Sequence, residues 1–195
     1  MRTTRFGQIS KLGKIVMTIL TVTLTLIYPF AIWLSQGQIE PRYLSGLLLV
    51  LIATRIPTLK LNRLARWSAL IALLLVLGAV WQNALLPLML YPVLVSLAFL
   101  IAFAYSLQTE QSMVERFARM TEPDLPPAAI VYTRKVTQVW CVFFVINGSI
   151  ALATALWASQ AVWSLYTGCI SYLLMGLLFG IEYLCRLRFK RRHHV

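Results

Sequence analysis

The feature that most constrains this chain is a series of long runs that contain almost no charged residue. The chain has 195 residues, of which 59% are hydrophobic and only 12% charged. A helix of about 20 apolar residues crosses the roughly 30 Å hydrocarbon core of a bilayer, and a soluble domain carries about twice this charged fraction. The sequence therefore predicts an all-α integral membrane protein.

Six apolar runs predict a polytopic transmembrane helix bundle of about six spans, forming one integral membrane domain over residues 1–195. The approximate spans are 15–35, 41–56, 65–81, 85–107, 138–158 and 162–184. The first run follows a basic segment, as in a signal peptide. It is longer than the apolar part of a typical signal peptide and lacks a small-residue cleavage site, so we expect an uncleaved span.

The second and third runs are short for spans and have an alternative arrangement, a re-entrant hairpin. The hairpin would place four basic residues at mid-membrane depth: Arg55, Lys60, Arg63 and Arg66. Each buried charge would cost about 2.5–3.5 kcal/mol. We therefore expect two spans, either tilted or in a locally thinned bilayer, with Arg55 extending toward the interface.

The basic residues indicate how the bundle is oriented. The net charge is +12, and with six spans every Lys and Arg except Arg42 falls on one side of the membrane. The positive-inside rule then predicts that both termini are cytoplasmic. Because the basic residues lie in short segments between apolar runs, we expect membrane lipids, and no nucleic acid, as their neighbours.

Two polar segments on this side are large enough to contact a partner, the loop 108–137 and the basic tail 185–195. The loop includes an amphipathic stretch whose apolar residues share one helical face: Met113, Val114, Phe117 and Met120. Glu115 precedes Arg119 by four residues, the spacing of a helical ion pair. We predict a short helix on the membrane surface. The candidate partner surface comprises Arg116, Arg119, Arg186, Arg188, Lys190, Arg191 and Arg192.

Glu182 is the only acidic residue inside an apolar run, and Asn147 and Ser149 belong to a polar interruption of the fifth run. Each of these features has two interpretations. Glu182 could couple to protons or ions, but Arg186 follows it by one turn, so we favour an ion pair at the helix end. Asn147 and Ser149 could line a substrate path or form interhelical hydrogen bonds, and we favour packing.

Gly176 and Gly180 have the spacing that permits close approach of a second helix, either within the chain or in a homodimer. The sequence does not separate these two arrangements.

The sequence offers no motif for catalysis, cofactor binding or metal binding. Glu122 and Asp124 lie among prolines, where a solvated turn is a simpler explanation than metal ligation. The three cysteines match no metal-binding spacing. We therefore predict no catalytic residue, cofactor or metal, and lean against an enzyme.

A set of residues in the C-terminal half carries a resemblance. Leu125-Pro126 precedes Trp140-Cys141-Val142-Phe143-Phe144, which leads to Gly148, Trp157, Gln160 and Trp163. The pattern resembles the intracellular septation protein A family, small polytopic proteins of bacterial inner membranes linked to envelope synthesis and division.

The whole chain is similar to a second group of bacterial inner-membrane proteins. These are encoded beside acyl carrier proteins, acyl-AMP ligases and acyltransferases of aryl polyene (xanthomonadin-type) lipid synthesis. The resemblance implies a multi-pass protein of the bacterial inner (plasma) membrane that serves envelope lipid assembly, and it assigns no catalytic residue.

Three hypotheses of function follow. The first is an accessory or scaffold factor that recruits cytoplasmic acyl carrier protein or acyl-chain enzymes, because acyl carrier proteins are acidic and would be attracted to a basic face. The second is a transporter or flippase for a lipid product, with Asn147, Ser149 and Glu182 on its path. The third is a membrane-embedded acyl or lipid transferase, for which the chain has the fewest candidate groups.

Overall fold

The structure is a computed structural model that describes residues 23–24, 27–35, 39–40, 43–50, 63–82 and 84–193. The regular structure within these ranges is helical, which confirms the predicted all-α class. The predicted spans 15–35 and 41–56 fall only partly within the described ranges. The N-terminal basic segment and the connector with Arg55 and Lys60 lie outside them.

The helices are numbered in chain order. Helical residues 27–35 and 43–50 are α1 and α2. They are followed by α3 (Arg63–Gln82), α4 (Leu86–Met89), α5 (Tyr91–Ser106), α6 (Met113–Arg119), α7 (Pro127–Trp157), α8 (Gln160–Leu165) and α9 (Ser171–His193). A π turn at Tyr166–Ile170 connects α8 to α9 without interrupting the helix.

Three helices in the described part of the chain are long and apolar enough to cross a membrane. They are Leu86–Ser106, Pro127–Trp157 and Gln160–Phe189. They contain most of the predicted spans 85–107, 138–158 and 162–184, which supports a multi-pass membrane protein. A shorter apolar helix at Leu70–Gln82 overlaps the predicted span 65–81.

Two of these helices are longer than the apolar runs that predicted them. α7 begins at Pro127, eleven residues before the predicted span, so residues 127–137 are helical and do not belong to a loop. Proline suits the first turn of a helix, where its fixed φ is helical and no N–H is needed. α9 likewise continues through most of the predicted tail, to His193.

The long helices are antiparallel to their neighbours. Phe103 of α5 and Phe179 of α9 both contact Trp140 of α7. A turn at Ala158 and Ser159 joins α7 to α8. The C-termini of α5 and α9, the N-terminus of α7 and all of α6 therefore lie together at what we call the basic end. The opposite end, which holds the Ala158–Ser159 turn, is called the turn end.

The outer surface has the character expected of a lipid-facing protein. Large apolar side chains are exposed along α3, α5, α7 and α9. Trp81 and Trp157 are exposed at the turn end, as tryptophans at a membrane interface commonly are. The part of α7 between Lys135 and Trp157 is about 33 Å long at 1.5 Å per residue, close to the thickness of a hydrocarbon core.

Candidate functional site: an interior polar chain and a basic helical end

Three buried polar side chains form a hydrogen-bonded series between α5, α7 and the π turn, which we call the interior polar chain. The Tyr166 hydroxyl donates to Oδ1 of Asn147 at 3.0 Å. Nδ2 of Asn147 in turn donates to Oγ of Ser96 at 3.2 Å. Asn147 lies near the middle of the stretch of α7 from Lys135 to Trp157, so these hydrogen bonds lie well inside the bundle.

Gly148 allows α5 and α7 to approach each other closely beside the interior polar chain. A Cβ atom at Gly148 would lie 3.2 Å from the Cβ atom of Ser96, tighter than most contacts of this kind. Ser149, by contrast, is exposed on the outer surface of α7. The two polar residues predicted as a pair thus have different surroundings, and Asn147 makes the interhelical hydrogen bonds that the sequence favoured.

A proline break between α4 and α5 is compensated by side chains from other helices. Pro92 has no N–H to donate to the carbonyl of Leu88, four residues earlier. The Tyr28 hydroxyl of α1 donates to that carbonyl at 2.7 Å. The indole Nε1 of Trp163 donates to the adjacent Met89 carbonyl at 3.2 Å. Such compensation is what allows a broken helix at membrane depth.

The π turn is packed against α1. A Cβ atom at Gly168 would lie 2.9 Å from Cε2 of Phe30, so the phenyl ring lies directly on the backbone of the turn. The Ser164 hydroxyl also donates to the Pro29 carbonyl at 3.0 Å. Turns of this kind are frequent at functional sites. Here the turn follows α8, which contacts α1 and α4. Its first residue is Tyr166, whose hydroxyl belongs to the interior polar chain.

At the basic end, Glu182 and Arg186 form the predicted i,i+4 ion pair. Arg186 Nη2 lies 2.6 Å from Oε2 of Glu182, and Arg186 Nε donates to Oε1 at 3.0 Å. The Tyr132 hydroxyl of α7 donates to the Glu182 backbone carbonyl at 3.2 Å. The Tyr132 ring also stacks on Phe189, with the centroids 4.9 Å apart. These contacts hold the last turns of α9 against the first turns of α7.

Side chains of the neighbouring helices hold α6 at the basic end. The Met113 backbone N–H donates to Oγ of Ser106 on α5 at 2.8 Å. The Val114 N–H donates to Oγ1 of Thr137 on α7 at 3.2 Å. Two N–H groups of the first helical turn, which lack partners within a helix, are thereby satisfied.

The predicted apolar face of α6 is divided in the structure. Met113 and Val114 pack on the aromatic cluster of α5 and α7. Phe117 and Met120 are 57% and 82% exposed. Glu115 points inward instead and is only 2% exposed, with Oε1 accepting from Nε of Arg119 at 2.9 Å, which confirms the predicted pair.

The basic residues assigned to a partner surface differ in their surroundings. Arg116 donates to the Gln111 carbonyl at 3.1 Å and to Oγ1 of Thr109 at 2.9 Å. Arg119 and Arg186 are ion-paired within the chain. The remaining four residues of the predicted surface lie on α9: Arg188, Lys190, Arg191 and Arg192. Arg188 and Arg191 have exposed side chains.

Other candidate positions do not come together. Gly176 and Gly180 have nothing within 4 Å of the position of a Cβ atom in the described structure, so no close helix packing explains them there. Glu182 lies level with Tyr132, about 22 Å along α7 from Asn147 at 1.5 Å per residue. Among the described residues, no three His, Cys, Asp or Glu side chains are grouped as metal ligands would be.

The residues of the sequence resemblance have structural positions of their own. Trp140 and Phe144 form an aromatic cluster with Phe103 of α5. Trp163 is fully buried and donates to the broken helix, whereas Trp157 is exposed at the turn end. Sequence reasoning did not identify Tyr28 or Tyr166. Pro92 is a signal that could have pointed to a donor near Leu88, because proline frees the carbonyl four residues before it.

We compared the chain with family models, curated proteins and solved structures, and none of these comparisons gives a match.

Proposed function

We propose that the chain is a non-enzymatic accessory or scaffold factor of a bacterial inner membrane, which recruits acidic acyl-chain proteins to its cytoplasmic face. The observation that supports the proposal is the continuation of α9 as a helix through the basic residues as far as His193. The contacts of Tyr132 with Glu182 and Phe189 fix this extension to α7. Because the extension is already ordered, binding a partner costs less conformational entropy than ordering a free tail would.

The chemistry of the partner follows from charge. Arg188 and Arg191 have exposed side chains on α9, and a carboxylate-rich surface would be attracted to them over several ångströms. An acyl carrier protein has such a surface. Its involvement, and the link to aryl polyene lipid synthesis, rest on the resemblance of the sequence; the cytoplasmic location rests on the positive-inside rule.

A second candidate is a transporter or flippase of a lipid product. The proline break between α4 and α5 favours it, because interrupted helices often form transport sites. The mutual hydrogen bonds of Ser96, Asn147 and Tyr166 favour a packed interior instead. We therefore place the scaffold function first.

Binding of an acidic acyl carrier protein to the full-length chain tests the scaffold proposal. The chain is placed in nanodiscs of zwitterionic phospholipid, so that anionic lipid cannot compete for the basic residues. Replacing Arg188, Lys190, Arg191 and Arg192 with Gln should weaken binding at least tenfold at low salt, because four attractive charges are removed. Arg186 is kept because it pairs with Glu182.

The matched control replaces Arg188, Arg191 and Arg192 with Lys, which preserves the charge. This variant should bind within about twofold of the original, since a long-range attraction depends little on the identity of the cation. Unchanged binding of the Gln variant, or no binding by the original chain, would rule out recruitment through α9.

A further inference from the structure

The orientation of α6 is unusual for a helix at the surface of a bundle. Its acidic residue Glu115 is buried, whereas Phe117 and Met120 are exposed. In water this orientation is unfavourable, because it exposes two large apolar side chains and buries a carboxylate. The outward face of α6 therefore suits an apolar neighbour.

The depth of α6 in the bundle indicates what that neighbour is. The Val114 N–H donates to Thr137 of α7, and Thr137 lies about 30 Å along α7 from the exposed Trp157 at 1.5 Å per residue. That distance equals the usual thickness of a hydrocarbon core. If Trp157 marks one boundary of the core, α6 lies at the other, where acyl chains meet headgroups.

Exposed side chains near the outward face of α6 are of the types that favour the headgroup layer of a bilayer. Tyr105, near the end of α5, is 67% exposed, and tyrosine is enriched at this depth because its ring is apolar and its hydroxyl polar. Arg116 lies next to Phe117 on the outward side, and its side chain is exposed. Only two of its five N–H groups are used by Gln111 and Thr109, which leaves donors for a phosphate.

We propose that α6 and the Met120 that follows it contact the membrane. Phe117 and Met120 insert into the acyl-chain boundary of an anionic leaflet, while Arg116 binds lipid phosphate. The occupant of this surface is the bilayer around the protein itself. The inference is independent of the partner proposed for α9, because it rests on the burial and depth of α6 alone.

Spin-label accessibility in vesicles tests this insertion. The native cysteines Cys141, Cys169 and Cys185 are replaced with Ala, and a nitroxide is attached to a Met120→Cys variant in phosphatidylethanolamine–phosphatidylglycerol vesicles. We expect collisions with lipid-soluble oxygen to exceed those with a water-soluble nickel chelate severalfold. A Phe117→Cys variant provides a second, independent position if the first does not fold.

Asp124→Cys, in the exposed turn after α6, is the matched control and should show the opposite preference. A label at position 120 that is as accessible to nickel as the label at 124, or shielded from both reagents, would overturn the proposal. In vesicles of phosphatidylcholine alone, nickel accessibility at position 120 should rise. Equal accessibility in the two lipids would overturn the part that requires anionic headgroups.

Discussion

The two halves of the bundle differ in whether charged side chains take part in their polar contacts. Toward the turn end, helices α1, α4 and α8 are joined by neutral donors to backbone carbonyls, as in the bond from Tyr28 to Leu88. The core there is a broad cluster of apolar residues around Trp163. Toward the basic end, ion pairs such as Glu182–Arg186 appear beside a compact aromatic cluster around Trp140.

The difference follows from how much each environment disfavours charge. A charged side chain in the middle of a bilayer costs about 2.5–3.5 kcal/mol on insertion scales, so an interior carbonyl freed by proline is better satisfied by a hydroxyl or an indole. At the basic end, the side chain of Arg186 is 48% exposed, so the cation of the Glu182–Arg186 pair can still reach polar surroundings. Among the described residues, the polar contacts that join α1, α4 and α8 are thus neutral, and the ion pairs lie at the basic end.

The largest effect is expected in the interior. Asn147→Leu removes the acceptor of the Tyr166 hydroxyl and the donor to Ser96. Leaving these groups without partners should lower the free energy of unfolding by about 1–2 kcal/mol. Reversible denaturation of the chain in mixed detergent micelles measures the change.

The matched control is the neighbouring variant Ser149→Ala, whose exposed side chain should contribute almost nothing. Equal stability of the Asn147 variant and the original chain would show that the interior polar chain does not stabilise the fold. Loss of lipid transport at unchanged stability would favour the transporter candidate instead.

A smaller effect is expected at the basic end. Glu182→Gln removes the charge of the pair with Arg186 but keeps a polar side chain, and the Tyr132 bond to the backbone carbonyl is retained. Because the Arg186 side chain is about half exposed, the free energy of unfolding should fall by less than about 1 kcal/mol. A loss as large as that of the Asn147 variant, in the same denaturation experiment, would contradict the contrast between the two halves.

The sequence predicted those contacts that join residues close together in the chain. The pairs Glu115–Arg119 and Glu182–Arg186 follow from i,i+4 spacing and both are present. The bond from Trp163 to Met89 joins residues 74 positions apart, and no local pattern indicates that partner. Helix ends were also misplaced, because hydropathy detects the apolar part of α7 but not the polar turns that precede it.

The inward orientation of Glu115 shows the same limit. The helical wheel placed Met113, Val114, Phe117 and Met120 on one apolar face, and the predicted surface helix would turn that whole face toward the membrane. The hydrogen bonds from Met113 and Val114 to Ser106 and Thr137 fix a different rotation. Ser106 and Thr137 lie on other helices, so the rotation of α6 becomes visible only in the assembled structure.

We propose that the basic end and the turn end lie on opposite sides of a bilayer, with the basic end cytoplasmic. Labelling with a membrane-impermeant maleimide tests it most directly, on single cysteines at Ser159 and Asp124 in a chain without its native cysteines. We predict that Ser159→Cys reacts in intact spheroplasts and that Asp124→Cys reacts only after the membrane is opened. Reaction of both positions from the same side, or the reverse order, would contradict the claim.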